Sequence, residues 1–169
     1  KLFKPIKGEK QNKKLSNYKI KPQNYFLFVG TIQTRKNLER LIEAFGMVRK
    51  DFPNIELVIA GKIWGQFSSM KFAKPAPWWE VSQTSQTCRG KVGPYQMPAG
   101  VKLLGYVPEK DLPGLVAGAE ALVIPSLYEG FGIPAVEAMA VGTPVLASNV
   151  SSLPEVIGDA GILFDPYDT

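Results

Sequence analysis

The chain has 169 residues, 45% hydrophobic and 21% charged, with a formal net charge of +5. That is the length of one ordinary domain with a real core, and no apolar run approaches the roughly 20 residues that span a bilayer. There is no histidine and a single cysteine, Cys88, which excludes an internal disulfide, a zinc site built from His and Cys, and histidine catalysis within these residues.

In chain order, residues 1–22 come first. They hold eight lysines against Glu9, so the rest of the chain is net acidic. They read as a solvated, extended linker, with a peripheral contact on anionic lipid as the sharper alternative. A nucleic-acid binder would carry its charge on a folded face interleaved with aromatics, so no nucleic-acid partner is expected. Tyr25 to Val29 is an unbroken aromatic and branched run closed by Gly30, the pattern of a buried strand. After the loop Thr31–Lys36, Asn37 is placed to cap a helix in which Leu38, Leu41, Ile42, Phe45 and Val48 recur at helical spacing to about Lys50. Ile55 to Ala60, closed by Gly61, is the second strand.

Trp64 to Gly100 has no clear period, four prolines and the pair Trp78-Trp79. It reads as an irregular insertion, with a crossover helix expected near Trp78. Regular elements then resume: strand Val101–Leu104 before Gly105, helix Glu109–Ala117, strand Ala121–Ile124, helix Pro134–Val141, strand Val145–Ala147, helical turn Leu153–Ile157, strand Ile162–Phe164. Strands closed by glycine and separated by helices predict an α/β, doubly wound, Rossmann-like parallel sheet of six strands. In such sheets ligands bind at the carboxyl edge, here the loops at Gly30, Gly61, Gly105 and Ser126. Both ends, Lys1 and Thr169, read as cut.

The stretch Pro125–Pro144 concentrates the chemistry. Glu129 lies beside Gly130 and Gly132, Pro134 opens a helix, and Glu137 follows one turn later. Strand, glycine loop and helix N-terminus in succession can hold a phosphate on backbone amides while a carboxylate accepts hydrogen bonds from sugar hydroxyls. Phe131 reads as core packing.

At E-G-F-G-I-P-A-V-E-A-M-A the chain resembles the retaining, nucleotide-sugar-dependent glycosyltransferases of the GT-B fold, the glycosyl transferases group 1 or family four. Their marker is a glutamate, seven residues and a second glutamate, here Glu129 and Glu137. F-V-G-T-I-Q-T-R-K-N-L-E-R-L-I-E-A-F, L-V-I-A-G-K, V-K-L-L-G-Y-V-P-E-K-D-L-P-G-L and G-T-P-V-L-A-S-N-V-S-S-L-P-E-V-I-G-D-A-G-I-L-F-D-P continue the resemblance in one order from Tyr25 to Pro166. Trp64–Gly100 stands outside it.

The resemblance implies the donor-binding half of a two-domain enzyme. Residues 1–22 would lead in from an N-terminal acceptor-binding domain, and residues 23–169 would form the nucleotide-sugar-binding domain. Glu137 would bind the ribose and Glu129 the donor sugar. The amides of Gly130, Phe131, Gly132 and Ile133 would face sugar and phosphate, and the backbone of Tyr106 and Val107 would meet the base. Arg35 and Lys36, beside Gly30 and Thr31, would neutralise the diphosphate leaving group without a metal. Many members carry an arginine where Thr31 stands, which leaves Arg35 to substitute. Glu129, Arg35 and Lys36 are thus the expected catalytic groups. No cofactor is expected beyond the nucleoside diphosphate sugar, with a mannose-type sugar favoured and a glycan or lipid-linked sugar as acceptor. The expected location is cytoplasmic, at the inner membrane face if the lysines touch lipid. The alternative is a non-catalytic nucleotide-sugar-binding module or assembly component.

Overall fold

A computed structural model describes residues 3–4, 15–62, 74–75 and 95–169. The expected helix near Trp78, the tryptophan pair and Cys88 lie outside the described residues. Six parallel strands form one sheet: β1 (Tyr25–Val29), β2 (Glu56–Ala60), β5 (Val101–Gly105), β6 (Ala121–Ile124), β7 (Val145–Ser148) and β8 (Ile162–Phe164). Within the irregular segment, β3 (Lys74–Pro75) and β4 (Tyr95–Gln96) pair antiparallel as a separate ribbon.

The order across the sheet is β5-β2-β1-β6-β7-β8. The chain steps outward from β1 through β2 to β5, returns to β6 beside β1, and steps outward again on the other side. Helices cover both faces. On one, α1 (Leu38–Asp51) sets Leu38, Ile42 and Phe45 against Phe28, Leu57 and Ile59. On the other, α2 (Leu112–Gly118), α3 (Ile133–Val141) and α4 (Leu153–Ile157) pack Leu115, Ala135, Ala138 and Leu153 against Leu27, Val58 and Leu122. Strands sandwiched in this way must be apolar on both sides, which is why β6 is buried at all four positions. Tyr25 carries its hydroxyl into this core, donates to the Leu115 carbonyl at 2.5 Å, and has its pKa pushed up by burial.

Three readings change. The end of the expected linker is packed on the domain. Leu15 is fully buried, Ile20 nearly so, and the Tyr18 hydroxyl donates to Asp111 Oδ2 at 3.0 Å. Burial first, and that bond second, push the Tyr18 pKa up to about 12. The helix expected from Glu109 begins at Leu112, after a turn in which the Asp111 amide donates to Pro108 O at 2.9 Å. Pro113 accounts for this: it has no amide to give and belongs in a first turn, whereas a start at Glu109 would put it in the interior. Asn37 does not cap through its side chain. It adopts φ 54°, and its Nδ2 donates instead to Pro166 O at 2.8 Å.

Beyond α1, the same face carries a groove of about 380 Å³ lined chiefly by Phe26, Leu41, Phe45, Val123, Leu146 and Phe164. Its walls are mainly apolar, although Asn37, Arg40, Asp165, Asp168 and Thr169 also line it, and none of the predicted site residues lies in it.

Candidate functional site

The reversal of strand order between β1 and β6 opens a crevice at the carboxyl edge, where the loops after these two strands diverge. The β1 loop holds Gly30, Thr31 and a 3-10 turn, Thr34–Lys36. The β6 loop holds Ser126 to Gly132. The two are joined directly: the Leu127 amide donates to Arg35 O at 2.8 Å, and Arg35 Nη1 donates to Tyr128 O at 3.1 Å.

Between them lies a buried ion pair. Lys36 Nζ is 2.5 Å from Glu129 Oε1, and both side chains are 10% exposed. Ser126 Oγ donates to the same oxygen at 2.7 Å, and Ser152 Oγ donates to the Glu129 carbonyl at 3.2 Å. Arg35 is directed elsewhere: its Nε donates to Gln33 Oε1 at 3.0 Å, and it does not meet Glu129. The two neighbouring cations are therefore not equivalent. Lys36 is anchored inside the crevice and Arg35 lies on its rim.

The glycines explain how closely the backbones approach. A Cβ on Gly61 would lie 1.7 Å from Gly30 O, so the turns leaving β1 and β2 could not close with any larger residue. Gly132, at φ 83°, ends the β6 loop and starts α3, and a Cβ there would meet Leu153 Cδ2 at 2.8 Å. Pro134 lies in the first turn of α3, where it costs no hydrogen bond. Gly130 is open on its side-chain side. Phe131, read as core packing, is 59% exposed, and Ile133 is exposed too. The chain turns into α3 here with its free amide end at the crevice, so these side chains point outward instead of into the sheet.

Glu137, one turn along α3, is half-buried, and its carboxyl pKa is raised, first by burial and second by the charge of Glu109. A carboxylate held up in this way gains from any ligand that donates to its charged form, as a diol does. Tyr106 is exposed after β5, with Lys62 Nζ 4.8 Å from its ring centroid. Val107 beside it is buried. The crevice thus brings together Gly30, Thr31 and Lys36 with Glu129 to Ile133. Glu137 and the Tyr106 loop lie further along the same edge. Among the described residues no group of three or more Cys, Asp and Glu side chains is placed to hold a metal, and no helix is long and apolar enough to cross a membrane. From the sequence Ser126 only marks an edge loop, with no role of its own, and Ser152 is not singled out. Isolated serines carry no signal until the fold places them against Glu129.

The family model for glycosyl transferases group 1 matches residues 9–169. The O-antigen chain mannosyltransferase B of Escherichia coli is 38% identical over 158 residues, covering 91% of this chain and 36% of that protein. The serotype-specific mannosyltransferase WbdA of the same organism is 30% identical over 148 residues, covering 87% of this chain and 16% of that protein. The chain thus spans about a third or less of these curated relatives' length. Among solved structures, the C-terminal domain of a glycosyl transferase group 1 family protein from Francisella tularensis superposes with a TM-score of 0.71 at 22% identity, covering 99% of this chain and 79% of that one. HepE of Anabaena in complex with UDP-glucose gives 0.73 at 20% identity, covering 99% and 41%. At these identities the structures speak for the fold, a Rossmann-like domain of the GT-B type. The family-model match over residues 9–169 and the 38% identity to the first relative speak for kinship: the chain belongs to the glycosyl transferases group 1 family.

Proposed function

We propose that this chain is the donor-binding half of a retaining glycosyltransferase. It would hold a nucleoside diphosphate sugar, mannose-type by its relatives, for transfer to a glycan or lipid-linked acceptor presented by an N-terminal domain. The observation that carries the reading is the buried Lys36–Glu129 pair at the divergence of β1 and β6. An ammonium and a carboxylate side by side suit a ligand that is anionic at one end and a polyol at the other. The diphosphate takes Lys36, the rim cation Arg35 and the amides of Gly130 to Ile133. The sugar hydroxyls donate to Glu129, the ribose diol to Glu137, and the base lies on the backbone of Tyr106 and Val107. As the bond from the sugar's anomeric carbon to the diphosphate oxygen breaks, negative charge grows on that oxygen. Preorganised cations and amides stabilise it more than they stabilise the bound donor, which is what lowers the barrier. No metal is needed in this scheme. The acceptor hydroxyl then forms the new bond to the anomeric carbon as its O–H bond breaks, and the departing diphosphate oxygen takes up the proton. The mannosyltransferase names of the relatives favour mannose and a polysaccharide or lipid-linked product.

Titration calorimetry with UDP, GDP and ADP tests the reading. One nucleoside diphosphate binds, and Glu137→Ala weakens it about tenfold or more, since hydrogen bonds to a charged acceptor are at stake. Absence of binding to all three, or unchanged binding in the variant, refutes it. The 169 residues alone form one wall of the cleft and do not transfer sugar. Transfer by this chain unaided would overturn the half-site reading.

A further inference from the structure

We propose that Ser126 is a positioning residue that keeps Glu129 facing the donor sugar once the diphosphate has bound. The inference rests on the donor-binding reading above. Ser126 is fully buried at the end of β6. Its hydroxyl and the Lys36 ammonium converge on one carboxylate oxygen, Oε1, at 2.7 and 2.5 Å. Both of these bonds end on Oε1, and among the described residues no hydrogen bond reaches Oε2. The carboxylate is therefore divided: one oxygen is held by two protein donors, and no described residue donates to the other.

The two donors on Oε1 behave differently when an anion arrives. Lys36 carries a full charge, and a diphosphate oxygen competes with Glu129 for its protons. The Ser126 hydroxyl has one proton, already on Oε1, and no anion can reach it behind the carboxylate. When Lys36 turns towards phosphate, Ser126 alone fixes the rotation of the Glu129 side chain, while Ser152 holds the Glu129 carbonyl. The device matters only to the part of the ligand that Glu129 meets. It sharpens binding of the nucleotide sugar and leaves the nucleoside diphosphate untouched, so it widens the preference for the loaded donor over the spent carrier.

That selectivity is the test, because a packing role would weaken both ligands alike. Dissociation constants are measured on the 169-residue chain for GDP with GDP-mannose, for UDP with UDP-glucose and for ADP with ADP-glucose, using the pair whose nucleoside diphosphate binds the wild type. Ser126→Ala raises the constant for the nucleotide sugar about tenfold, the scale of one hydrogen bond to a charged group. The constant for the nucleoside diphosphate stays within about twofold, inside the scatter of such measurements. Ser126→Cys keeps the volume and a weak donor, falls between, and decides the matter if the alanine variant does not fold. Equal weakening of both ligands, or no change in either, overturns the positioning role. A wild-type chain that binds none of UDP, GDP and ADP fails earlier, at the donor-binding reading, and removes this inference with it.

Discussion

The Lys36–Glu129 pair can be weighed by a double-mutant cycle of Lys36→Met, Glu129→Leu and the two together. Each side chain is 10% exposed, so water screens the charges little and the behaviour of buried pairs applies. Removing either partner leaves an uncompensated charge in the crevice, at a cost of about 3 to 5 kcal/mol. For a domain of this size that corresponds to a fall of roughly 6 to 20 °C in thermal midpoint. The Glu129→Leu variant also orphans the Ser126 hydroxyl, which puts it at the upper end. In the double variant both charges are gone and the apolar replacements fill similar volume, so the loss is far smaller than the sum of the singles, with a coupling of about 2 kcal/mol or more. Thermal unfolding followed by circular dichroism measures all four corners. Losses below about 1 kcal/mol for each single variant, adding in the double, would show the behaviour of an exposed surface pair and refute the buried anchor. The double variant should also fail to bind any nucleoside diphosphate while remaining folded, which separates stability from function.

Glu137 carries the opposite stability sign. Its raised pKa means that the folded state favours the protonated acid, so its contribution is fully present below the ordinary carboxylate value of 4.5 and is lost as pH rises through the folded value. Glu137→Gln therefore melts slightly higher than the wild type at neutral pH, by no more than about 1 kcal/mol because the group is half in water, and equally at acid pH. A variant less stable at neutral pH contradicts that sign. Gly61→Ala tests the close approach of the β1 and β2 turns. The added Cβ forces Gly30 away, costing more than about 2 kcal/mol and weakening nucleotide binding, both read by melting with and without ligand. A neutral substitution there would show that the contact is slack.

All six strands of the main sheet were legible because each is a short, mainly apolar run ended by glycine or a polar turn, with Lys102 a charge inside one of them, and a sheet covered on both faces leaves little else for such runs to be. Their positions alone also gave the carboxyl edge as the place to look. The start of α2 was legible too, in Pro113, had its missing amide been set against the helical period of Leu112, Leu115 and Val116. Leu15 and Ile20 were hidden by the lysines around them: two apolar residues in a basic segment have no period, and only the finished core shows the place they fill. The pairing of Lys36 with Glu129 joins residues 93 apart in sequence, so no local pattern could show it. Phe131 misled because an aromatic beside glycines reads as core, whereas the turn into α3 faces it outward.

The bridge from the Leu127 amide to Arg35 O has a kinetic consequence. With Arg35 on Tyr128 O and Lys36 on Glu129, it closes the β1 and β6 loops into one body, and Asn37 and Arg40 tie that body to Pro166 beyond β8. The ordering entropy of the crevice is spent during folding, before any ligand arrives. Encounter with a small anionic ligand then meets a surface that is already shaped, so association runs at the pace of diffusion and differences between ligands appear in how long each one stays.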